Sequence, residues 1–160
     1  MNWPNLEQLV PHLAKDAKIG FKTINAGVET VDTAPTYREA FKNRWRLIPA
    51  DSFYEWKKVP GGKIPYAIGM EDDTPFVFAG LWEAWKNPTT DEWLRTCSII
   101  IGEPNELVAQ VHTRMPVILP QERHAKWLGE MENGDLKELL TPFPAERMKM
   151  WPISSRVNQS

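Results

Sequence analysis

Hydrophobic and polar residues along this chain fall into short runs, each bounded by turn-forming residues, with few long helical stripes. Residues 46–50, 53–57, 65–70, 76–82 and 96–101 read as strands. Their connections carry turn signals: Pro60-Gly61-Gly62, Glu71-Asp72-Asp73 and Asn87-Pro88. Residues 35–44 predict a helix opened by Pro35, with Tyr37 and Phe41 at i, i+4. Residues 104–110 predict a short helix ahead of an extended run at 115–119. Two more helices are predicted at 121–130, after Pro120, and at 135–140. Leu6, Leu9, Val10 and Leu13 have helical spacing that Pro11 interrupts, and residues 22–24 and 153–158 read as extended. The strands follow one another at hairpin distances, without a helix between each pair. The expectation is an α+β fold with a largely antiparallel sheet, curled or barrel-like, and short peripheral helices, rather than a doubly wound parallel sheet.

Composition narrows the class. The 160 residues fit one domain over 1–160 with a sizeable core; 42% are hydrophobic and 25% charged, ordinary values for a globular protein. No apolar run approaches a bilayer span, and the start, MNWPNLEQLV, lacks the basic and apolar regions of a secretory signal. Cys97 is the one cysteine, which excludes an internal disulfide framework and fits a reducing cytoplasm. Three scattered histidines make no structural zinc site, and no cofactor is expected. The net charge of −2 hides an asymmetry: residues 1–63 carry ten Lys and Arg against seven Asp and Glu, and the remainder is acidic. A basic half suggests a local anionic partner, although an uneven mixed surface explains it equally. Eight tryptophans can fill a core or stack on nucleic-acid bases.

Three polar residues stand in apolar or tightly framed settings: Asn25 in TINAGVET, Glu55 in SFYEWKK and His112 in AQVHTRMPVIL. A glutamate between Tyr54 and Trp56 loses hydration, which disfavours its charged form and raises its pKa toward the range of a general acid or base. Asparagine can position a reacting group and histidine can shuttle protons. Plainer alternatives exist for each: a strand glutamate facing solvent beside Lys57, a turn or cap asparagine, and a satisfied loop histidine. There is no GxSxG elbow, phosphate-binding loop, HExxH or CxxC. Cys97, in RTCSIII, reads as buried on both sides and therefore inert.

Many short segments of the chain occur in a familiar order. They are TINA, VET, IPADSFYEWKK, the Pro65-Tyr66 pair, FAGLWE, TCSII, Pro104-Asn105-Glu106, VHTRMPVIL, WL and SSRVN. In that order the chain resembles the SOS response-associated peptidase (SRAP) family of abasic-site DNA–protein crosslinkers, from about Leu9 to Asn158. The resemblance implies single-stranded DNA with abasic sites as partner, in a cytoplasmic, nucleoid-associated setting. In the family a cysteine following the initiator methionine captures the abasic aldehyde as a Schiff base and closes a thiazolidine ring. By the same resemblance Asn25 would orient the cysteine or the sugar, and Glu55 would serve as acid/base. His112 would shuttle protons, and Arg114 would contact phosphate.

The chain departs from the family pattern at its start. Position 2 is Asn2, and no cysteine precedes Cys97. The W-G-L-x-P-x-W segment has Glu7-Gln8 and Leu13 in place of its Trp-Gly and second tryptophan, and Gly27 replaces an arginine that would contact phosphate. The expectation is a domain, truncated at its N-terminus relative to the family, that keeps the frame of an abasic-site pocket without its nucleophile. An uncovered core would then favour self-association. The other readings are a non-covalent single-stranded-DNA-binding module and, last, a peptidase.

Overall fold

The turn residues organise two hairpins. In the computed structural model, which describes residues 9–11, 14–15, 18, 23–131 and 134–159, Gly61 takes φ +87° between β3 (Phe53–Val59) and β4 (Gly62–Met70). Glycine adopts that left-handed backbone without a Cβ clash. Between β5 (Phe76–Lys86) and β6 (Trp93–Gly102), the Asn87 side chain accepts the Thr89 backbone N–H at 2.9 Å. This is the local side-chain turn that makes asparagine a turn former.

Beyond the hairpins, the strands divide between two sheets. One runs β1 (Asn25–Gly27), β6, β5, β2 (Trp45–Ala50), with the short β7 (Met115–Pro116) also on β6. The other is β3, β4, β8 (Met148–Pro152). Every named pairing is antiparallel except β1 with β6, which is parallel. The architecture is therefore the expected α+β with largely antiparallel sheets. The described strands close no barrel, because β2 and β3, separated only by Asp51 and Ser52, pair into different sheets.

Alternation along β5 gives the larger sheet two buried faces. Ala79 and Leu81 face a core with Ala26, Ile100 and Trp127. Phe76 and Phe78 face the second sheet, where Ile68, Met70 and Met148 pack. On the first side lie α1 (Arg38–Asn43) and α2 (His124–Trp127). The Trp127 indole is fully buried and donates to the Arg46 carbonyl at 3.0 Å, so the largest side chain there has its polar atom satisfied.

Three helix predictions shrink in the structure. The 35–44 helix is regular only over Arg38–Asn43, and 104–110 and 135–140 become 3-10 turns at Val108–Gln110 and Leu136–Leu139. The 121–130 segment is a 3-10 turn followed by α2, stopped by Gly129 at φ +74°. The tail prediction is corrected outright. Residues 153–158 are not extended: Ser155–Gln159 is a 3-10 helix, begun where the Arg156 N–H donates to the Ser154 hydroxyl at 3.3 Å. The edge strand β8 lies just before it. Of the 22–24 prediction, Thr23 and Ile24 are described and fall just before β1, in no strand, while Lys22 and the spacing through Leu6 and Leu13 lie outside the described residues.

Gly61 and Gly129 separate two costs of a side chain. A Cβ at Gly61 would meet nothing within 4 Å, whereas one at Gly129 would come within 2.6 Å of the Trp45 ring. We expect Gly61→Ala to lose about 1 kcal/mol from backbone strain alone, and Gly129→Ala about 2–4 kcal/mol from strain plus overpacking. Urea unfolding of the two variants measures the difference; equal losses would remove Trp45 as the cause.

Candidate active site

Phe53 fixes which way β3 faces. Its ring packs edge-on against Phe76 and Phe78, with centroids 6.4 and 5.8 Å away. Two residues along the same face stands Glu55, so it points toward the space between the sheets, at the rim of the core. Its side chain is 19% exposed. Tyr54, on the opposite face, is exposed. Burial pushes the Glu55 carboxyl above its ordinary range, opposed by the nearby His112 and by a hydrogen bond from the Trp56 backbone. The direction matches the sequence reading, with Glu55 on the inward face and Tyr54 beside it exposed.

His112 approaches from the segment between β6 and β7. The preceding 3-10 turn is held by buried Asn105, whose side chain accepts the Val108 N–H at 2.9 Å and donates to the Phe143 carbonyl at 2.8 Å. The backbone N–H of His112 donates to the Val108 carbonyl at 2.9 Å. Its Nδ1 lies 3.1 Å from the Arg114 backbone nitrogen and 3.1 Å from the Arg114 carbonyl oxygen. Its Nε2 lies 3.9 Å from Glu55 Oε2. When Nδ1 accepts from Arg114, the proton is on Nε2, facing the carboxylate. The pair is close enough for electrostatic coupling and one short movement from a direct hydrogen bond.

Arg114 is held in place by Glu29. Its two terminal nitrogens donate to the two Glu29 oxygens at 2.6 and 2.9 Å, and Nη2 also donates to the Ile101 carbonyl at 3.0 Å. This bidentate pair lowers the Glu29 carboxyl to about 2, chiefly through the hydrogen bonds from Arg114. The pair occupies the space over Gly27, where a Cβ would lie 3.0 Å from Glu29 Oε2 and 3.4 Å from Arg114 Nη2. At this position the absent side chain makes room for an ion pair.

Asn25 lies on the same face of β1 as Gly27, two residues away, while Ala26 between them is core. Its carbonyl accepts the Tyr37 hydroxyl at 3.0 Å. Beneath it, the Ser98 hydroxyl lies 2.8 and 2.9 Å from the Thr23 and Ile24 carbonyls. Asn25 on one sheet and Glu55 on the other are thus linked residue by residue through Gly27, Arg114 and His112, and the surface between them is the candidate site. Among the described residues no hydrogen bond links the Asn25 side chain directly to Glu55 or His112. Glu29, Tyr37, Ser98 and Asn105 escaped the sequence reading as supports, although Glu29 in VET, Ser98 in TCSII and Asn105 in Pro104-Asn105-Glu106 lie in segments that carry the resemblance.

Two readings bear on a nucleophile or metal. Cys97 is 2% exposed on β6, as its apolar setting implied. Among the described residues no group of three His, Cys, Asp or Glu could hold a metal, and no helix is long and apolar enough to cross a membrane. Asn2 and Glu7-Gln8 lie outside the described residues.

The two-sheet frame is a known arrangement. The family model for SOS response associated peptidase (SRAP) matches residues 2–160. The chain belongs to that family. Among its relatives, the Bacillus subtilis abasic site processing protein YoqW is 46% identical over 154 residues, covering 94% of this chain and 68% of YoqW. The chicken (Gallus gallus) abasic site processing protein HMCES is 32% identical, covering 94% of this chain and 52% of HMCES. A crystal structure of a Bacteroides thetaiotaomicron protein superposes with a TM-score of 0.90 at 30% identity, over 96% of this chain and 70% of that one.

The two carboxylates have opposite pH signatures. Glu55, raised in the folded state, adds stability only at low pH, and that contribution is lost as pH rises through its folded value. Glu29, lowered to about 2 from 4.5, adds stability that is lost as pH falls from 4.5 through about 2. We therefore expect Glu55→Gln to raise the urea midpoint at pH 7 and Glu29→Gln to lower it, both differences closing in acid. A Glu55→Gln variant less stable than the parent at pH 7 would contradict the desolvation of Glu55.

Proposed function

We propose that this chain recognises abasic sites in single-stranded DNA, using the surface between Asn25 and the Glu55–His112 pair to hold the ring-opened sugar. What carries the reading is the raised carboxyl of Glu55 within 3.9 Å of His112, in a chain whose relatives are abasic site processing proteins. An abasic sugar is mostly a closed hemiacetal. Opening it to the aldehyde removes a proton from the anomeric hydroxyl and delivers one to the ring oxygen. A half-buried glutamate with a raised pKa, and a histidine beside it, suits both transfers. Asn25 would orient the aldehyde oxygen through its amide, and Arg114, pre-aimed by Glu29, would exchange that carboxylate for a DNA phosphate.

Within these 160 residues the one thiol belongs to Cys97, and its burial opposes the thiolate form. We therefore read the activity of this chain as non-covalent, without a thiazolidine crosslink. Self-association is the second partner reading, and a single monomeric species in sedimentation would exclude it.

Binding to labelled single-stranded DNA with and without an abasic analogue tests the proposal. The expected result is tighter binding to the abasic strand, with no shifted band on a denaturing gel. Arg114→Ala should flatten the log–log salt dependence by about 0.7, one phosphate contact on single-stranded DNA. Equal affinity for intact and abasic strands would overturn the reading, and a shifted band lost in Cys97→Ala would make Cys97 the nucleophile.

A further inference from the structure

The face of the larger sheet that carries Asn25 does not end at the candidate site. Residues directly opposite in a sheet share a face, and the register runs Asn25 to Ile99 to Gly80 to Arg46 across four strands. Toward the β5–β6 turn, the same face carries Trp82 opposite Cys97, Arg95 opposite Ala84, and Trp93 opposite Lys86. The second sheet packs over Phe76 and Phe78 farther down β5. Arg95 is exposed, and Trp93, at 67%, is the most exposed large hydrophobic side chain among the described residues.

At this end of the sheet the surface is indented. A cleft of about 220 Å³ is lined by Trp45, Arg46, Trp82 and Arg95. Two of the lining residues are guanidinium groups, two are indoles, and none is a carboxylate. The nearest acidic side chain in sequence, Glu83, points to the other face. It is buried there against Arg44 at 2.6 Å, and its second oxygen accepts the Ala84 N–H at 3.0 Å. Arg44 also lies 6.0 Å from the centre of the Trp82 ring. Arg95 makes no ion pair among the described residues.

We propose that this cleft is a second nucleotide subsite, which takes a phosphodiester of the strand between Arg46 and Arg95 and stacks its unpaired base on Trp82. The proposal rests on the reading of the candidate site as an abasic-site pocket, and it gives the strand a direction of travel away from that pocket. Arg95 lies four residues along β6 from the row containing Asn25, about 13 Å. That distance suits a nucleotide beyond the lesion's immediate neighbour, not the lesion itself. The chemistry selects a single strand: arginine supplies planar phosphate contacts, and an indole platform needs a base released from pairing.

The test compares two single-stranded oligonucleotides with a tetrahydrofuran abasic analogue, one long and one with a single nucleotide on each side. On the long strand, Arg46→Ala with Arg95→Ala should reduce the log–log salt slope by about 1.4, and Arg95→Ala alone by about 0.7. Trp82→Leu should weaken the long strand about tenfold. All three effects should shrink on the short strand, which cannot reach the cleft. Arg95 is exposed, so its variant keeps the test valid if Trp82→Leu fails to fold. Unchanged slope and affinity on the long strand in every variant would overturn the subsite while leaving the abasic-site reading intact. Equal losses on long and short strands would also overturn it. No binding of either strand by the parent chain would overturn both.

Discussion

The candidate site depends on the burial of Phe53. That ring, wedged edge-on against Phe76 and Phe78, decides which face of β3 points into the molecule. The ring is partly buried, which contributes on the order of 1 kcal/mol, and the edge-to-face contacts add to this. Because strand side chains alternate, the same choice commits Glu55 to the inward face. A hydrophobic contact thereby holds a carboxyl group where water is scarce. Pairing β2 and β3 into different sheets across two residues completes the effect, since it puts Glu55 and Asn25 on different sheets, with the candidate site between them.

Electrostatics then distinguishes the two carboxylates near that site. Glu29 is exposed, fully paired and strongly acidic; Glu55 is half-buried, loosely approached by His112, and shifted the other way. The first suits a fixed support for Arg114. The second suits proton exchange, because its shift moves the protonated form toward the neutral range. The positioning residues are buried and well bonded, from Asn105 under the His112 segment to Tyr37 and Ser98 under β1. Of the groups that would meet a substrate, Asn25 and His112 are exposed and Glu55 and Arg114 half-buried.

Much of this was legible in the sequence, and the parts that were not share a cause. The strands at 46–50, 53–57, 65–70, 76–82 and 96–101 were readable because each is a dense apolar run beside a turn signal, and the structure mainly lengthens them. The 121–130 helix came out shorter because Gly129, at positive φ and packed on Trp45, ends it. β8 was missed because Met148–Pro152 mixes Lys149 into an edge strand with only one partner strand. Asn25, Glu55 and His112 were each found locally, through an odd polar residue in an apolar frame. Their supports were not, because Arg114 and Glu29 lie 85 positions apart and Ser98 reaches the Thr23 carbonyl across 75. The parallel pairing of β1 with β6, which brings those residues together, leaves no mark on either segment alone.

The central claim is that the face choice made by Phe53 keeps the Glu55 carboxyl dehydrated beside His112. Carbon-detected NMR titration of the Glu55 side-chain carboxyl in the free protein reads this directly. The account predicts a midpoint above the ordinary glutamate value of 4.5. A midpoint at or below that value would contradict it, because the carboxylate would then be hydrated or fully paired.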